Sequence, residues 1–286
     1  MAVKRKRPRK RKLRRGSGCK YSKNKKCLCK NDWTIYHANI RGFKSKESSL
    51  KHIIKVVDAD VVSLNEHGLK SKQKLKMDGY KSYTKNRVDK AMGGVSISVK
   101  NDESPSVVKV AEGEDNNEFI LTRHAHFQPA VNVLAVYGEQ ECRTSTSESD
   151  KRWEEMLEQI KKIEQRGESI VLIGDMNKAV GNDHLGVKDN HPKISRGGKY
   201  IREFLDNNNY TLVNNLPITV NGPFTRYDPG DPNNEEKKSC LDLVIISNDL
   251  LPFVEQLFID REGIYAPSRS IGKKLRKPDQ NQANIA

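Results

Sequence analysis

The segment Ser169-Ile170-Val171-Leu172-Ile173-Gly174-Asp175-Met176-Asn177 constrains the chain more than any other. A short apolar run closed by glycine reads as a buried strand. It follows a long amphipathic helix over Asp150–Gln165, whose stripe is Trp153, Met156, Leu157, Ile160 and Ile163. Gly174 permits a sharp exit from the strand. The i, i+2 spacing of Asp175 and Asn177 can place both side chains on one face of an extended segment.

The same patterning recurs along the chain. Trp33–Asn39 alternates like a strand, and Glu47–Val57 has helical spacing with Leu50, Ile53, Ile54 and Val57 on one face. Asp60–Leu64 reads as a short buried strand. Further strands are expected at Gly79–Tyr83, Gly94–Val99, Glu118–Arg123, Val131–Tyr137, Leu241–Ile246 and Val254–Ile259, and a further helix at Lys199–Leu205. Strand-rich blocks separated by occasional helices indicate an α/β fold with two packed mixed sheets and helices outside. The 286 residues suit one such domain, expected over 32–265, flanked by a disordered arm at 1–31 and an irregular polar tail at 266–286.

The net charge of +15 lies almost wholly in the arm. Residues 1–30 hold 15 Lys and Arg and no acid, and the remaining 37 Lys and Arg match 37 Asp and Glu. Charge of this density, including Lys4, Arg5, Lys6 and Arg7, is a ligand for polyanions or for a nuclear import receptor. Nuclear localisation and contact with DNA, or with RNA through the arm, are the expectations. The five cysteines, at 19, 27, 29, 142 and 240, are odd in number, which favours a reducing compartment over a disulfide scaffold. Cys19, Cys27 and Cys29 lack a fourth zinc ligand unless His37 supplies it, and His37 lies inside an expected strand. No apolar stretch approaches the length of a membrane span.

Several polar residues close the strands. Asn39 ends the first, before Ile40-Arg41-Gly42. Glu66 follows Val61–Leu64, Asp175 and Asn177 follow Ile170–Ile173, and Asp242 lies within the apolar strand around Leu241–Ile246. Carboxylate and amide oxygens suit a hard divalent ion. Phosphodiester hydrolysis uses such an ion together with a base for water.

Six ordered blocks resemble the exonuclease–endonuclease–phosphatase superfamily, and most closely the apurinic/apyrimidinic-type endonuclease domain of non-LTR retrotransposons. They are Tyr36-His37-Ala38-Asn39-Ile40-Arg41-Gly42, Leu64-Asn65-Glu66-His67, Val136-Tyr137-Gly138-Glu139-Gln140, Gly174-Asp175-Met176-Asn177, Phe224-Thr225 and Ser239-Cys240-Leu241-Asp242-Leu243. The resemblance implies a four-layer α/β sandwich and a Mg²⁺-dependent endonuclease, with Mn²⁺ as an alternative ion. Glu66 would be the main metal ligand, with Asn39 beside it. Asp175 would orient or deprotonate the attacking water, and Asn177 and Tyr137 would hold the phosphate. Asp242 would contribute an acid, Thr225 and Ser239 would line the DNA-facing rim, and Arg41 would join them in binding nucleic acid. A nick in one strand would supply the 3′-hydroxyl that primes reverse transcription.

One family feature is missing. The family closes with a Ser/Thr-Asp-His triplet on a last strand, whereas here Lys277-Pro278-Asp279-Gln280 stands near that place and the last histidine is His191. Three readings follow: a fragment lacking its last strand, an inactive derivative that only binds nucleic acid, or replacement by another histidine, His67 being nearest by motif. A phosphatase or lipid phosphodiesterase of the same superfamily is the remaining alternative.

Overall fold

The structure, a computed structural model, describes residues 33–88, 93–138, 146–181, 194–207, 209–226 and 238–260. The arm with Lys4, Arg5, Lys6 and Arg7, the cysteines at 19, 27, 29 and 142, Glu139-Gln140 and the 266–286 tail lie outside these residues. Thr34–Ala286 belongs to a single unit. Among the described residues no helix is long and apolar enough to cross a membrane.

Two sheets make the frame. The first contains β1 (Ile35–Asn39), β2 (Val61–Asn65), β3 (Tyr80–Lys85) and β4 (Val95–Lys100) in the order β1-β2-β4-β3. The second contains β5 (Val107–Glu112), β6 (Glu118–His124), β7 (Val131–Tyr137), β8 (Ser169–Asp175), β9 (Tyr210–Leu212) and β11 (Asp242–Ser247) in the order β5-β6-β7-β8-β11-β9. Both are mixed: β1 runs parallel to β2 and β7 to β8, while β8 and β11 are antiparallel. A two-stranded pair joins β10 (Thr219–Val220) to β12 (Leu257–Phe258).

Period-two alternation assigns each strand two destinations. Tyr36, Ala38, Val62 and Leu64 face α1 (Glu47–Val57), which buries Leu50 and Ile54 against them. Phe119, Leu121, Leu134, Val136, Ile170, Leu172, Leu243 and Ile245 face α2 (Thr146–Gln165) and α3 (Arg196–Asn207), meeting Met156, Ile160, Ile163, Ile201 and Phe204. The residues between them in sequence, such as Val61, Ser63, Val133, Ala135, Val171 and Ile173, fill the layer between the sheets. Full burial of an aliphatic side chain of this size is worth about 1.5–3 kcal/mol. The result is helix, sheet, sheet, helix, the four-layer α/β sandwich expected.

Several boundaries differ from the sequence reading. The helix expected from Asp150 starts at Thr146, and the one expected over Lys199–Leu205 spans Arg196–Asn207. Val254–Ile259 is not a strand over its length. A 3-10 segment occupies Asn248–Phe253, with Pro252 inside it, and only Leu257–Phe258 finds a partner. Strand β5 escapes the sequence pattern because it is a sheet edge with mostly exposed side chains.

Gly174 is required by the close approach of two strands. Its φ is +155°, and a Cβ placed there would stand 1.8 Å from the carbonyl oxygen of Val136. Gly174→Ala should therefore force β7 and β8 apart at the end that carries Tyr137 and Asp175. The expected cost is about 2–4 kcal/mol, read as a lower denaturant midpoint at unchanged slope.

Candidate active site

Five strand ends converge on one edge of the layer between the sheets. Asn39 closes β1, Asn65 closes β2 with Glu66 directly after it, Tyr137 closes β7, Asp175 closes β8 and Asp242 opens β11. Register places them together, since Asn39 pairs with Asn65, Tyr137 with Asp175, and Asp175 with Asp242. Two of the strand exits turn through left-handed backbone at non-glycine residues next to the site, Arg41 (φ 45°) and Glu66 (φ 52°), and Asn177 does so after β8 (φ 50°). Such conformations are uncommon for side-chain-bearing residues, and they cluster here where acids and amides must be turned inward.

The Asn39 amide is the centre of the arrangement. Its Nδ2 donates to Glu66 Oε1 at 2.8 Å and to Asp175 Oδ2 at 2.9 Å, so one residue joins a carboxylate of each sheet. The Tyr137 hydroxyl donates to the same Glu66 oxygen at 2.9 Å. The Asn177 N–H donates to Asp175 Oδ1 at 3.0 Å, and Asn177 Nδ2 donates to the Gly138 carbonyl at 2.6 Å. Behind them, Asn65 Nδ2 donates to the Val136 carbonyl at 2.8 Å and ties the sheets together from within.

The electrostatics follow from this crowding. Burial, and then the charge of Asp242, push the Asp175 carboxyl up to about 6, against the pull of Asn39, the Asn177 N–H and His37. Burial, and then Glu66, also raise the Tyr137 phenol, which holds it as a hydrogen-bond donor.

Of the residues expected in the site, Asn39, Glu66, Tyr137, Asp175, Asn177 and Asp242 come together. Arg41 is exposed beside them, its neighbour Gly42 donating its N–H to the Glu66 carbonyl. Thr225 and Ser239, expected on the DNA-facing rim, are half-buried beside the start of β11. Thr225 Oγ1 accepts the N–H groups of Leu241 and Asp242 at 3.1 and 3.0 Å, and Ser239 pairs through its backbone with Arg226. Both thus set the start of β11 and the placement of Asp242.

His67 is not a substitute for the missing terminal histidine. It is buried, its Nδ1 accepts the Leu69 N–H, and its Nε2 lies 3.2 Å from the Lys85 carbonyl. Burial lowers it to about 4, so it is a neutral packing group with both nitrogens occupied. The histidine that does face the site is His37. Its Nε2 lies 3.4 Å from Asp242 Oδ1 and its Nδ1 3.0 Å from Ser63 Oγ. Its position two residues before Asn39, on the same strand face, was the available signal. Arg87, which lies over the Tyr137 ring at 5.5 Å and pairs with Glu118, carries no such signal because it follows β3 in a loop.

Residues 36–269 match the Endonuclease/Exonuclease/phosphatase family over most of the chain. The chain belongs to the endonuclease/exonuclease/phosphatase family. No curated protein matches it in sequence. Solved structures with the family fold include the catalytic domain of Xenopus laevis APE2, with TM-score 0.60 and 16% identity over 76% of this chain and 83% of that one. The endonuclease domain of TRAS1, a telomere-specific non-LTR retrotransposon, gives 0.51 and 15% over 77% and 86%. The 3′-5′ exonuclease of Neisseria meningitidis gives 0.58 and 17% over 78% and 90%. At such identities the likeness is one of fold.

Proposed function

We propose that this family member is a metal-dependent phosphodiesterase that nicks one strand of DNA, in the manner of a retrotransposon endonuclease priming reverse transcription. The observation that carries the reading is the Asn39 amide holding Glu66 and Asp175 in one network across the two sheets. It gives a metal-ligating carboxylate and a water-activating carboxylate fixed relative positions.

The donor set fits Mg²⁺ or Mn²⁺. It consists of carboxylate and amide oxygens, and Asn39 Oδ1 is buried without a hydrogen-bond partner. Glu66 and Asn39 would hold the ion, which when bound would stabilise charge on the phosphate and its leaving oxygen. Asp175 accepts a proton from water, helped by its raised affinity for one. Asn177 donates toward a phosphate oxygen through its second amide N–H, and Tyr137, whose single hydroxyl proton is given to Glu66, would do so on turning from that carboxylate, with Arg87 over its ring. His37 positions Asp242 and tempers its repulsion of Asp175.

Support for DNA as substrate comes from the basic arm and from the likeness to nuclease structures, among them a Neisseria 3′ phosphatase solved with a product DNA hairpin. The test is conversion of supercoiled plasmid to open circle in Mg²⁺, abolished by chelator. Salt-sensitive binding without nicking would replace the enzyme by a binder. Turnover of phosphomonoesters or phospholipids alone would replace the nuclease by a phosphatase or lipid phosphodiesterase.

His37→Ala should slow nicking by about 10- to 100-fold, because it strips Asp242 of a neighbouring partner inside the fold. It should also move the acid limb of the pH–rate profile upward, since His37 lowers the proton affinity of Asp175. A rate loss with an unmoved limb would reduce His37 to packing.

A further inference from the structure

The opposite end of the layer between the sheets holds a second polar cluster, made by Glu103, His124 and His126. One ligand-capable atom of each lies within 4.8 Å of the other two, and among the described residues no other group of three histidine, cysteine or acidic side chains is so close. His124 ends β6 opposite Val131, the first residue of β7. Tyr137 and the active site lie at the far end of that strand, about 20 Å away at strand spacing.

We propose that Glu103, His124 and His126 form a site for a first-row transition-metal ion, Zn²⁺ foremost, separate from the oxygen-lined active site. Two imidazoles and one carboxylate suit zinc, cobalt or nickel, whereas Mg²⁺ prefers an all-oxygen shell. His124 is fully buried, with Thr122 Oγ1 3.1 Å from one ring nitrogen, a contact that orients the ring as second-sphere partners do. Glu103 and His126 reach in from the surface side, with side chains 14% and 27% exposed and Oε2 and Nε2 4.0 Å apart.

The backbone already brings the three together. The Ser106 N–H donates to the Glu103 carbonyl, and the Ala125 N–H, between the two histidines, donates to the Ser106 carbonyl at 2.9 Å. The turn that carries Glu103 is therefore bonded to the turn that carries His126. Ligand atoms around a tetrahedral ion at 2.0–2.1 Å stand about 3.4 Å apart, so binding requires about 1 Å of closure by side chains that are not fully buried. The Glu103 carboxylate beside His126 favours a cation there. The bound ion would clamp the β5–β6 edge to the turn before β7.

The test is a Co²⁺ titration of the untagged, chelator-treated chain carrying Glu66→Gln, which weakens the active-site ligand set. One equivalent should bind with the visible absorption of a low-coordinate nitrogen and oxygen site. Glu103→Gln and His126→Ala, added singly, should each weaken binding at least about tenfold. Zn²⁺ should raise the melting temperature of the parent and of neither variant. Metal-free melting curves matching the parent establish that both variants fold, and His126, partly exposed on a turn, is the safer of the two. Failure of the parent to bind, or full binding by either variant, overturns the site.

Discussion

Asp175→Asn is expected to leave a folded protein that nicks DNA about 10³–10⁴-fold more slowly. Both oxygens of Asp175 are engaged, by Asn39 Nδ2 and by the Asn177 N–H. Asparagine preserves the shape and one of these bonds but turns an NH₂ group toward a donor at the other. That loss, about 1–3 kcal/mol, is offset in part by removing a buried charge next to Asp242. The fold should therefore survive while the proton acceptor is gone. In the parent the acceptor must be ionised, and burial beside Asp242 raises its proton affinity to about 6. The single-turnover rate should accordingly fall about tenfold per pH unit below that region and level off above it. A cation bound at Glu66 favours the anion and moves this limb to lower pH. A rate insensitive to both the mutation and pH would exclude Asp175 as the base.

Glu66→Gln is the second large effect. The amide oxygen of glutamine can still accept from Asn39 Nδ2 and the Tyr137 hydroxyl, so the network keeps its form. What disappears is a charge worth several kcal/mol to an ion and to the transition state it stabilises, or about 10²–10³ in rate. Excess Mg²⁺ or Mn²⁺ should restore part of that rate. A loss that no metal concentration touches, with an unchanged melting curve, would mean that Glu66 serves the network alone.

The two parts of the site differed in how visible they were. Asn39, Glu66, Asp175 and Asn177 could be read from sequence because each follows an apolar strand, and strand ends are where side chains leave the core. Asp242 could be read because an acid inside an apolar run needs a partner. His37 was obscured by the same logic, since a histidine inside a strand looks like packing until the facing strand is known. Thr225 shows a different blindness. Its place near the site was legible, but the direction of its hydroxyl depends on a pairing with Leu241 and Asp242, sixteen and seventeen residues away. The Glu103 cluster joins two segments about twenty residues apart, and no local spacing announces it. At the level of architecture, interior strands announce themselves by apolar runs, whereas β5, with one neighbour and mostly exposed side chains, has little reason to alternate.

The Asn39 amide and the inward-facing Asn65 have a consequence for how the protein fails. Asn39 and Asn65 belong to the first sheet, with Glu66 next after its strand β2, and Tyr137, Asp175 and Asp242 to the second. Neither half of the chain owns the candidate site, which exists only at the seam where the halves dock. A parting of the seam by an ångström would disconnect Asn39 from Asp175 while leaving every strand and helix in place. Damage that loosens docking should therefore silence the protein well before its circular dichroism reports any unfolding.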